Sequence, residues 1–330
     1  MPAALRAGRR RSKLTPDGPE AMREHCGRRS GMEAPSNDNP QKPPAAEAGV
    51  ILKDPVHELT VHADVLALLA DPATTRLCLD IAEDAACAVG GTMAAAHVGA
   101  DPERMIAAAE EIDLQMLRDL DEGSPAQRLE RVTSAFEDWK RGKPGRDRLR
   151  LDDCRGDLNR CVTSECHETA LAVAPCHGNI DARDAFHDLL FNEHKLVLAP
   201  PPGQYAGDLM GHIVVGWKQH DHAQRAVVAA RRWLAAADHI TVLCINDKTD
   251  GRNQFTAREL LKQLELDGDV VTTSSGNCSV GETILDFAKT AKATCLLIGA
   301  FKHGYFLELL LGRVTHYLLS HSTLPMMMKH

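Results

Sequence analysis

From residue 51 onward, short apolar runs alternate with amphipathic stretches along most of the chain. An apolar run of four to eight residues between turn-forming residues is typical of a buried strand. Apolar residues at spacings of three and four are typical of a helix. Strands that alternate with helices indicate a parallel sheet with right-handed crossovers. The pattern therefore predicts an α/β fold.

The second half of the chain has the clearer pattern. Helix starts are predicted at Asp221 with Gln224, at Thr256-x-x-Glu259 and at Ser279-x-x-Glu282, each of which resembles a capping box. A last amphipathic helix is predicted to contain Gly312. The predicted strands are 213–216, 240–245, 270–273, 294–298 and 323–328, and the first predicted helix spans 221–237.

The first half shows a looser version of the same order. Its predicted strands are 58–62, 92–98, 148–151, 170–175 and 195–201, and its predicted helices are 74–89, one or two within 103–141, 157–168 and 182–191. The strand–loop–helix–strand ending of this half recurs at the end of the chain, at a period of roughly 130 residues, which indicates domain duplication and not a short-repeat solenoid.

These patterns predict two similar five-stranded, mostly parallel units with helices on both faces. A disordered basic and Pro-rich tail is predicted at 1–50, because this segment lacks apolar periodicity. The predicted units are 51–200 and 211–330. The segment 201–210, which begins within the turn-forming Pro200-Pro201-Pro202-Gly203 stretch, is predicted to link them.

Charge and composition narrow the function. The 330 residues carry a net charge of −8, yet residues 1–31 hold eight Lys/Arg against three Asp/Glu, so the rest of the chain is strongly acidic. An acidic body with 4% aromatic residues is a poor match for nucleic acid. No apolar run approaches the roughly 18 residues of a membrane span, and no export signal is visible. We therefore expect a cytoplasmic protein with no nucleic-acid or membrane partner.

Ten cysteines are expected to be reduced thiols in that compartment. Cys78, Cys87, Cys244 and Cys295 sit within apolar segments, where cysteine behaves as a small hydrophobe. Cys154, Cys161, Cys166-His167 and Cys176-His177 are close in sequence, but their irregular spacing favours isolated cysteines over a zinc site.

Three other clusters have a chemical and a structural interpretation. His220-Asp221-His222 suggests a metal or acid–base site, but it stands where a helix cap belongs. Asp181, Asp184 and Asp188 share one helix face and could bind a cation, although a solvated face is expected. Met326 to Met328 suit core packing or a partner surface. The chain contains no catalytic serine elbow, P-loop or dinucleotide fingerprint, so we do not expect an enzyme.

One motif carries a family resemblance. Gly299-x-x-Lys302, nine residues and Gly312-Arg313 follow an apolar strand. With the flanking segments 239–247, 280–300 and 311–328, this resembles the universal stress protein family, in its tandem two-domain bacterial form with a degenerate first half. The resemblance covers 211–330 well and 55–200 more weakly. It implies that the final strands 195–201 and 323–330 pair across a pseudo-dimer, and the chain could also form a homodimer.

The resemblance also implies a site, which is open to two interpretations. Nucleotide-binding members have glycine and Ser/Thr where this chain has Lys302 and Arg313, and an Asp where it has Gly216-Trp217-Lys218. Lys302 and Arg313 could hold an anion by charge. Alternatively, Lys302 fills the space of the phosphates, and Trp217 either shields or blocks an adenine. The expected function is a regulatory or stress-response binding protein with an unknown protein partner, no catalysis and no cofactor. The alternative is a protein that binds ATP or AMP through Gly216, Trp217, Gly299, Lys302, Gly312 and Arg313.

Overall fold

The computed structural model describes residues 63–105, 109–245, 251–300 and 312–330, all within one compact unit, His57–His330. The predicted tail at 1–50, the predicted strand at 58–62 and Lys302 lie outside the described residues. The described residues contain ten strands and ten α-helices. The strands are β1 Val65–Leu69, β2 Met93–Ala100, β3 Leu151–Gly156, β4 Leu171–Val173, β5 Leu196–Ala199, β6 His212–Trp217, β7 His239–Ile245, β8 Asp269–Thr273, β9 Cys295–Gly299 and β10 Met326–Lys329.

The helices connect these strands and cover the sheet. They are α1 Pro72–Ala88, α2 Ala109–Glu122, α3 Pro125–Arg141, α4 Leu158–Cys166, α5 Ile180–Phe191, α6 Asp221–Ala229, α7 Arg231–Ala235, α8 Arg252–Gln263, α9 Val280–Thr290 and α10 Arg313–His321. Short 3₁₀ helices occupy Pro102–Arg104 and Arg146–Arg148.

All ten strands belong to one sheet, in the order β3-β2-β1-β4-β5-β10-β9-β6-β7-β8. Each half contributes five strands in the same relative order. Every neighbouring pair is parallel except β5 and β10, which run antiparallel. The predicted α/β fold with two similar, mostly parallel five-stranded halves is confirmed.

The two halves meet at β5 and β10. Met326, Met327 and Met328 lie opposite Ala199, Leu198 and Val197 in the antiparallel ladder. The pairing of the two final strands, which the resemblance implied, is therefore present in the structure. The three methionines are buried, so core packing describes them and an exposed partner surface does not.

Side-chain contacts reinforce this junction on either side of the sheet. The Trp233 indole Nε1 donates to the Ala85 carbonyl at 2.9 Å, and Arg232 pairs with Asp64 at 2.6 Å. The His177 Nε2 lies 3.1 Å from the Leu319 carbonyl. Because β-strands covered on both faces need no polar side, β1 and β9 are buried along their whole length.

The apolar core forms two layers, one on each face of the sheet. Buried side chains of α1, α3, α6, α7 and α8 belong to one layer, and those of α4, α5, α9 and α10 to the other. Each layer contains residues from both halves, so the halves share their cores and do not merely touch.

Several predicted elements need correction. The third strand is Leu151–Gly156 and not 148–151, because a 3₁₀ helix occupies Arg146–Arg148. The predicted helix 221–237 is two helices that meet at Ala230. Gly312 lies at the N-cap of α10 and not inside a helix.

Of the three capping boxes predicted from the sequence, one is present in the structure. Ser279 and Glu282 form the predicted box at the start of α9. Helix α8 begins at Arg252 after the left-handed Gly251, and the Thr256 hydroxyl instead donates to the Arg252 carbonyl within that helix. His220, not Asp221, is the N-cap residue of α6, and its side chain makes no capping bond.

The cysteines are not all reduced, which corrects the prediction from the sequence. Cys154 on β3 and Cys161 on α4 form a disulfide. Cys78, Cys244 and Cys295 are buried free thiols, whereas Cys87 is exposed. None of the helices described here has the length and apolar character needed to cross a bilayer.

Met327 tests the junction of the halves, because its side chain is fully buried beside the β5 ladder. We expect Met327→Ala to lower the free energy of unfolding by about 2–5 kcal/mol through lost burial and a residual cavity. Met116→Ala is the matched control, because Met116 is 64% exposed. Urea unfolding measures both, and equal effects of the two changes would contradict a shared core.

Candidate functional site

A cavity of about 680 Å³ opens at the carboxyl ends of the second-half strands. In an open α/β sheet, ligands bind where the chain leaves one strand to the left and its neighbour to the right. Here that point lies between β6, which connects to β7, and β9, which leads toward β10. The residues that line the cavity are Gly216, Trp217, Lys218, His220, Ala223, Leu243, Ile245, Asn253, Val280, Ile284, Ile298, Gly299, Gly312, Arg313, Val314 and Thr315.

The cavity brings together five of the six residues that the sequence proposed for a site, Gly216, Trp217, Gly299, Gly312 and Arg313. The sixth, Lys302, lies outside the described residues. The apolar wall comes from the ends of β7 and β9 and from α9. The polar side comes from the segment after β6 and from the start of α10. A cavity with apolar walls and a few convergent polar groups is suited to a small organic ligand.

Trp217 forms part of the wall and does not stand free in the cavity. Its side chain is buried and packs in one of the two core layers. The indole Nε1 donates to the Thr256 hydroxyl at 3.4 Å. These contacts fix the ring plane, so Trp217 shapes the cavity as a rigid apolar wall.

Gly299 has a structural requirement that the sequence did not reveal. A Cβ at this position would lie 2.7 Å from the backbone nitrogen and 2.9 Å from the Cα of Ala223. Real Cβ atoms do not come so close to backbone. Glycine at the end of β9 therefore lets the first turn of α6 pack directly on the strand, which closes one side of the cavity.

Helix α10 presents its N-terminus to the cavity. Gly312 is the N-cap residue, no side chain caps the helix, and its first turn contains no acidic residue. Arg313 is exposed at the first helical position. The amide groups of a helix N-terminus carry partial positive charge, so a cation there is unfavourable by about 0.3–1 kcal/mol. An anion in the cavity would relieve that repulsion.

Two further polar residues at this end were not singled out from the sequence as site residues. Lys218 is exposed directly after β6, and Thr315 is buried two residues beyond Arg313. Their position at a strand end and a helix start is a sequence signal that could have identified them. Asn253, which also lines the cavity, accepts a hydrogen bond from the Gln219 backbone at 2.8 Å.

Histidine rings stack beside the cavity mouth. The His222 ring lies 5.2 Å from the His220 ring and 4.5 Å from the His330 ring, measured between centroids. Burial, together with the nearby charges of His330 and Arg225, lowers the pKa of His222 to about 4. His222 is therefore neutral at pH 7.

The corresponding place in the first half is filled by protein. Helix α5 starts with Asn179, whose side chain accepts from the Ala182 amide at 2.9 Å. Asp181, in the first turn, is 2% exposed. Its carboxylate receives the Arg118 guanidinium at 3.0 Å and faces Arg128 at 3.8 Å. An internal carboxylate thus lies at the helix start, where the second half presents Gly312 and Arg313.

The solvated face predicted for Asp181, Asp184 and Asp188 is wrong for two of the three residues. Asp181 and Asp188 are buried, whereas Asp184 is exposed as predicted. Burial raises the pKa of Asp188. Helices α2 and α3 supply the arginines that cover Asp181. Between β7 and β8 the described residues of the second half form one helix, α8, where the first half has both α2 and α3 between β2 and β3.

The fold and cavity define an α/β protein with a ligand-sized site at a sheet switch point. The family model of the universal stress protein family matches residues 210–330. This part of the chain is therefore a universal stress protein domain, and the first half repeats its strand order. A search of curated proteins gives no match.

Solved structures extend the likeness to the whole described unit. A universal stress protein of Archaeoglobus fulgidus DSM 4304 is 12% identical, with a TM-score of 0.51, over 80% of this chain and 97% of that one. A functionally unknown protein of Pseudomonas aeruginosa PAO1 is 11% identical over 80% of this chain and 91% of its own, at 0.43. Another Archaeoglobus fulgidus universal stress protein is 20% identical over 37% of this chain and 98% of its own, at 0.30. The similarity to the first structure supports the fold alone, and the other two similarities are too low to support a conclusion.

The contact of Gly299 with α6 is testable. We expect Gly299→Ala to lower the free energy of unfolding by about 1–3 kcal/mol, because the added methyl must displace backbone. The matched control is Gly99→Ala at the end of β2, where the nearest atom to the new Cβ is the His97 Nε2 at 3.4 Å. Chemical denaturation compares the two, and a harmless Gly299→Ala would show that α6 does not need this approach.

The contribution of the buried ion pairs around Asp181 to stability is also testable. Asp181→Asn leaves Arg118 and Arg128 without their buried carboxylate, so we expect a loss of about 3–5 kcal/mol in unfolding free energy. Asp138→Asn is the control, since Asp138 pairs with Arg141 on the exposed surface, and no measurable change is expected. If urea midpoints show equal, small effects, the network does not hold the first half closed.

Proposed function

We propose that this chain is a regulatory binding protein of the universal stress type, without catalysis of its own. We further propose that its second half takes an adenine nucleotide, AMP or ATP, in the cavity between β6, β9 and α10. The observation that carries the proposal is the polar end of that cavity, where an uncapped helix start and Arg313 face a ligand-sized space.

The size and walls of the cavity favour a flat, partly apolar ligand. Its volume of about 680 Å³ falls in the range of small-molecule and cofactor sites, roughly 300–1,000 Å³. Leu243, Ile284 and Ile298 give apolar surface against which an aromatic base can pack. Trp217 also lines the cavity, and its buried indole is fixed in the other core layer by its contact with Thr256.

The charges of the cavity favour phosphate at the other end. Lys218 and Arg313 are cationic, and the described residues of the lining include no Asp or Glu. Backbone amides at a helix N-terminus bind phosphate oxygens without any side chain. Arg313 would replace the neutral Ser/Thr of nucleotide-binding relatives with a charge-assisted donor.

The same absence of a described carboxylate in the lining supports the proposal of no catalysis. Hydrolysis of a nucleotide needs a group that holds Mg²⁺ or orients water, and carboxylates usually supply it. A carboxylate would also be needed to grip the ribose hydroxyls. We therefore expect the phosphates, and not the nucleoside, to supply most of the affinity.

Thermal-shift titration tests the proposal. At ligand tenfold above Kd, linkage stabilises the folded state by about 1.4 kcal/mol, which is about 2–3 °C in Tm for a chain of this size. We expect AMP and ATP to give such a shift, adenosine to give a smaller one, and Arg313→Gln to weaken AMP binding about tenfold.

Arg258→Gln is the matched control, because Arg258 is an exposed arginine of α8 that does not line the cavity. This change should leave the titration as in the wild type. No shift with either nucleotide at millimolar concentration would overturn the nucleotide proposal. Equal losses from Arg313→Gln and Arg258→Gln would show that binding is non-specific charge attraction.

A further inference from the structure

Helix α2 of the first half turns its polar side toward the protein. Gln115 and Arg118 are each 7% exposed. The Arg118 guanidinium lies 3.0 Å from Asp181 on α5 and 2.9 Å from Glu122 one turn later. From α3, Arg128 reaches Asp119 at 3.3 Å. Buried ion pairs and hydrogen bonds therefore hold this helix against α3 and α5.

The outward side of α2 is apolar. Its exposed side chains are Ile112 (46%), Met116 (64%), Leu117 (66%) and Leu120 (86%). Ile112, Met116 and Leu120 follow one another at four-residue spacing along one face, and Leu117 lies beside them. The exposed Asp113 lies within the same face, between Leu120 and Leu117. An ordinary surface helix has the opposite arrangement, with its apolar side chains toward the core. A cluster of exposed apolar side chains with polar neighbours marks an interaction surface.

Rotation of α2 about its axis cannot hide this face. Turning the apolar residues inward would carry Arg118 to the outside and leave the buried Asp181 with only the longer 3.8 Å contact to Arg128. Loss of one member of a buried pair is strongly unfavourable. The buried network therefore keeps Ile112, Met116 and Leu120 exposed.

Charge identifies the kind of partner. Between 109 and 122 the sequence has six acidic residues, Glu110, Glu111, Asp113, Asp119, Asp121 and Glu122. The one cation of this helix, Arg118, is buried and paired. Asp113 and Asp121 are exposed beside the apolar residues. An antiparallel pair with a second copy would bring like charges together, and an anionic membrane would be repelled.

We propose that the apolar, acid-flanked face of α2 (Ile112, Met116, Leu117 and Leu120) binds a basic amphipathic α-helix of a partner protein. Helix α2 has 14 residues and is about 21 Å long, which matches roughly two heptads of helix-to-helix packing. The partner would place apolar side chains between those of α2, and its Lys or Arg residues beside Asp113 and Asp121. This inference is independent of the nucleotide proposal.

A fluorescent synthetic peptide tests the surface on the full chain. The probe is an 18-residue helix with Leu at the a and d heptad positions and Lys on its flanks, and the control is a peptide of the same composition in scrambled order. We expect anisotropy in 150 mM salt to show binding of the amphipathic peptide, at least tenfold tighter than of the scrambled one. The double variant Leu117→Gln/Leu120→Gln should lose at least tenfold in affinity.

The matched control is Phe255→Gln, because Phe255 on α8 is 65% exposed, and it should bind the peptide like the wild type. Asp113→Asn/Asp121→Asn should weaken binding and reduce its salt dependence. Circular dichroism checks that each variant is folded, which is expected because all these side chains are exposed. Equal binding of both peptides, or wild-type binding by the Leu117/Leu120 variant, would overturn the proposal. Self-association in sedimentation that this variant abolishes would also overturn it, since the face would then join two copies.

Discussion

The antiparallel pairing of β5 with β10 is the constraint on which the rest of the structure depends. It joins two parallel five-stranded halves into one sheet. Because β5 and β10 are each the last strand of their half, pairing them protects two edges that would otherwise expose unpaired backbone groups. It also merges the helical layers on either face, so that Trp233 of one half bonds to Ala85 of the other. The stability of each half therefore depends on the other.

The molecule has two equivalent helix starts, those of α5 and α10, and they differ in capping and in charge. In the second half, Gly312 begins α10 without a side-chain cap and Arg313 adds a positive charge. In the first half, Asn179 caps α5 and the Asp181 carboxylate lies in its first turn. The arginines of α2 and α3 then cover that carboxylate. The second half keeps an open cavity with positive charge at the helix start. The first half satisfies the preference of a helix start for negative charge with its own Asp181 side chain.

Much of this architecture could be predicted from the sequence because it depends on local pattern. Apolar runs predicted most of the strands, Ser279 with Glu282 predicted the start of α9, and the family resemblance implied the pairing of the final strands. Some of the failures depend on distant residues. Asp181 is buried by Arg118, which lies 63 positions away, and no periodicity reveals that contact. Gly299 belongs to a glycine motif that resembles a phosphate-binding loop. The structure adds a second reason for glycine at this position, because the backbone of Ala223 packs directly against it.

The candidate site was also predictable only in part. The strand ends that form it were predictable, because parallel strands direct their carboxyl ends to one edge. The start of α10 was not, since Gly312 was predicted to lie inside a helix and is its N-cap residue. The position of Trp217 in the wall depends on Thr256, which belongs to a helix whose start was placed four residues too late. The outward apolar face of α2 was also not apparent, since spacing shows that a helix has two faces but not which one is buried.

The central claim is that the start of α10 is the anion-binding part of the cavity. Hydrogen exchange with and without AMP measures this most directly, by comparing the amides of Arg313, Val314 and Thr315 with those of Asp181 and Ala182 in α5. If the start of α10 binds the phosphate, AMP slows exchange at the α10 amides and leaves the α5 amides unchanged. Slower exchange at α5, or no change at α10 under saturating AMP, would contradict it.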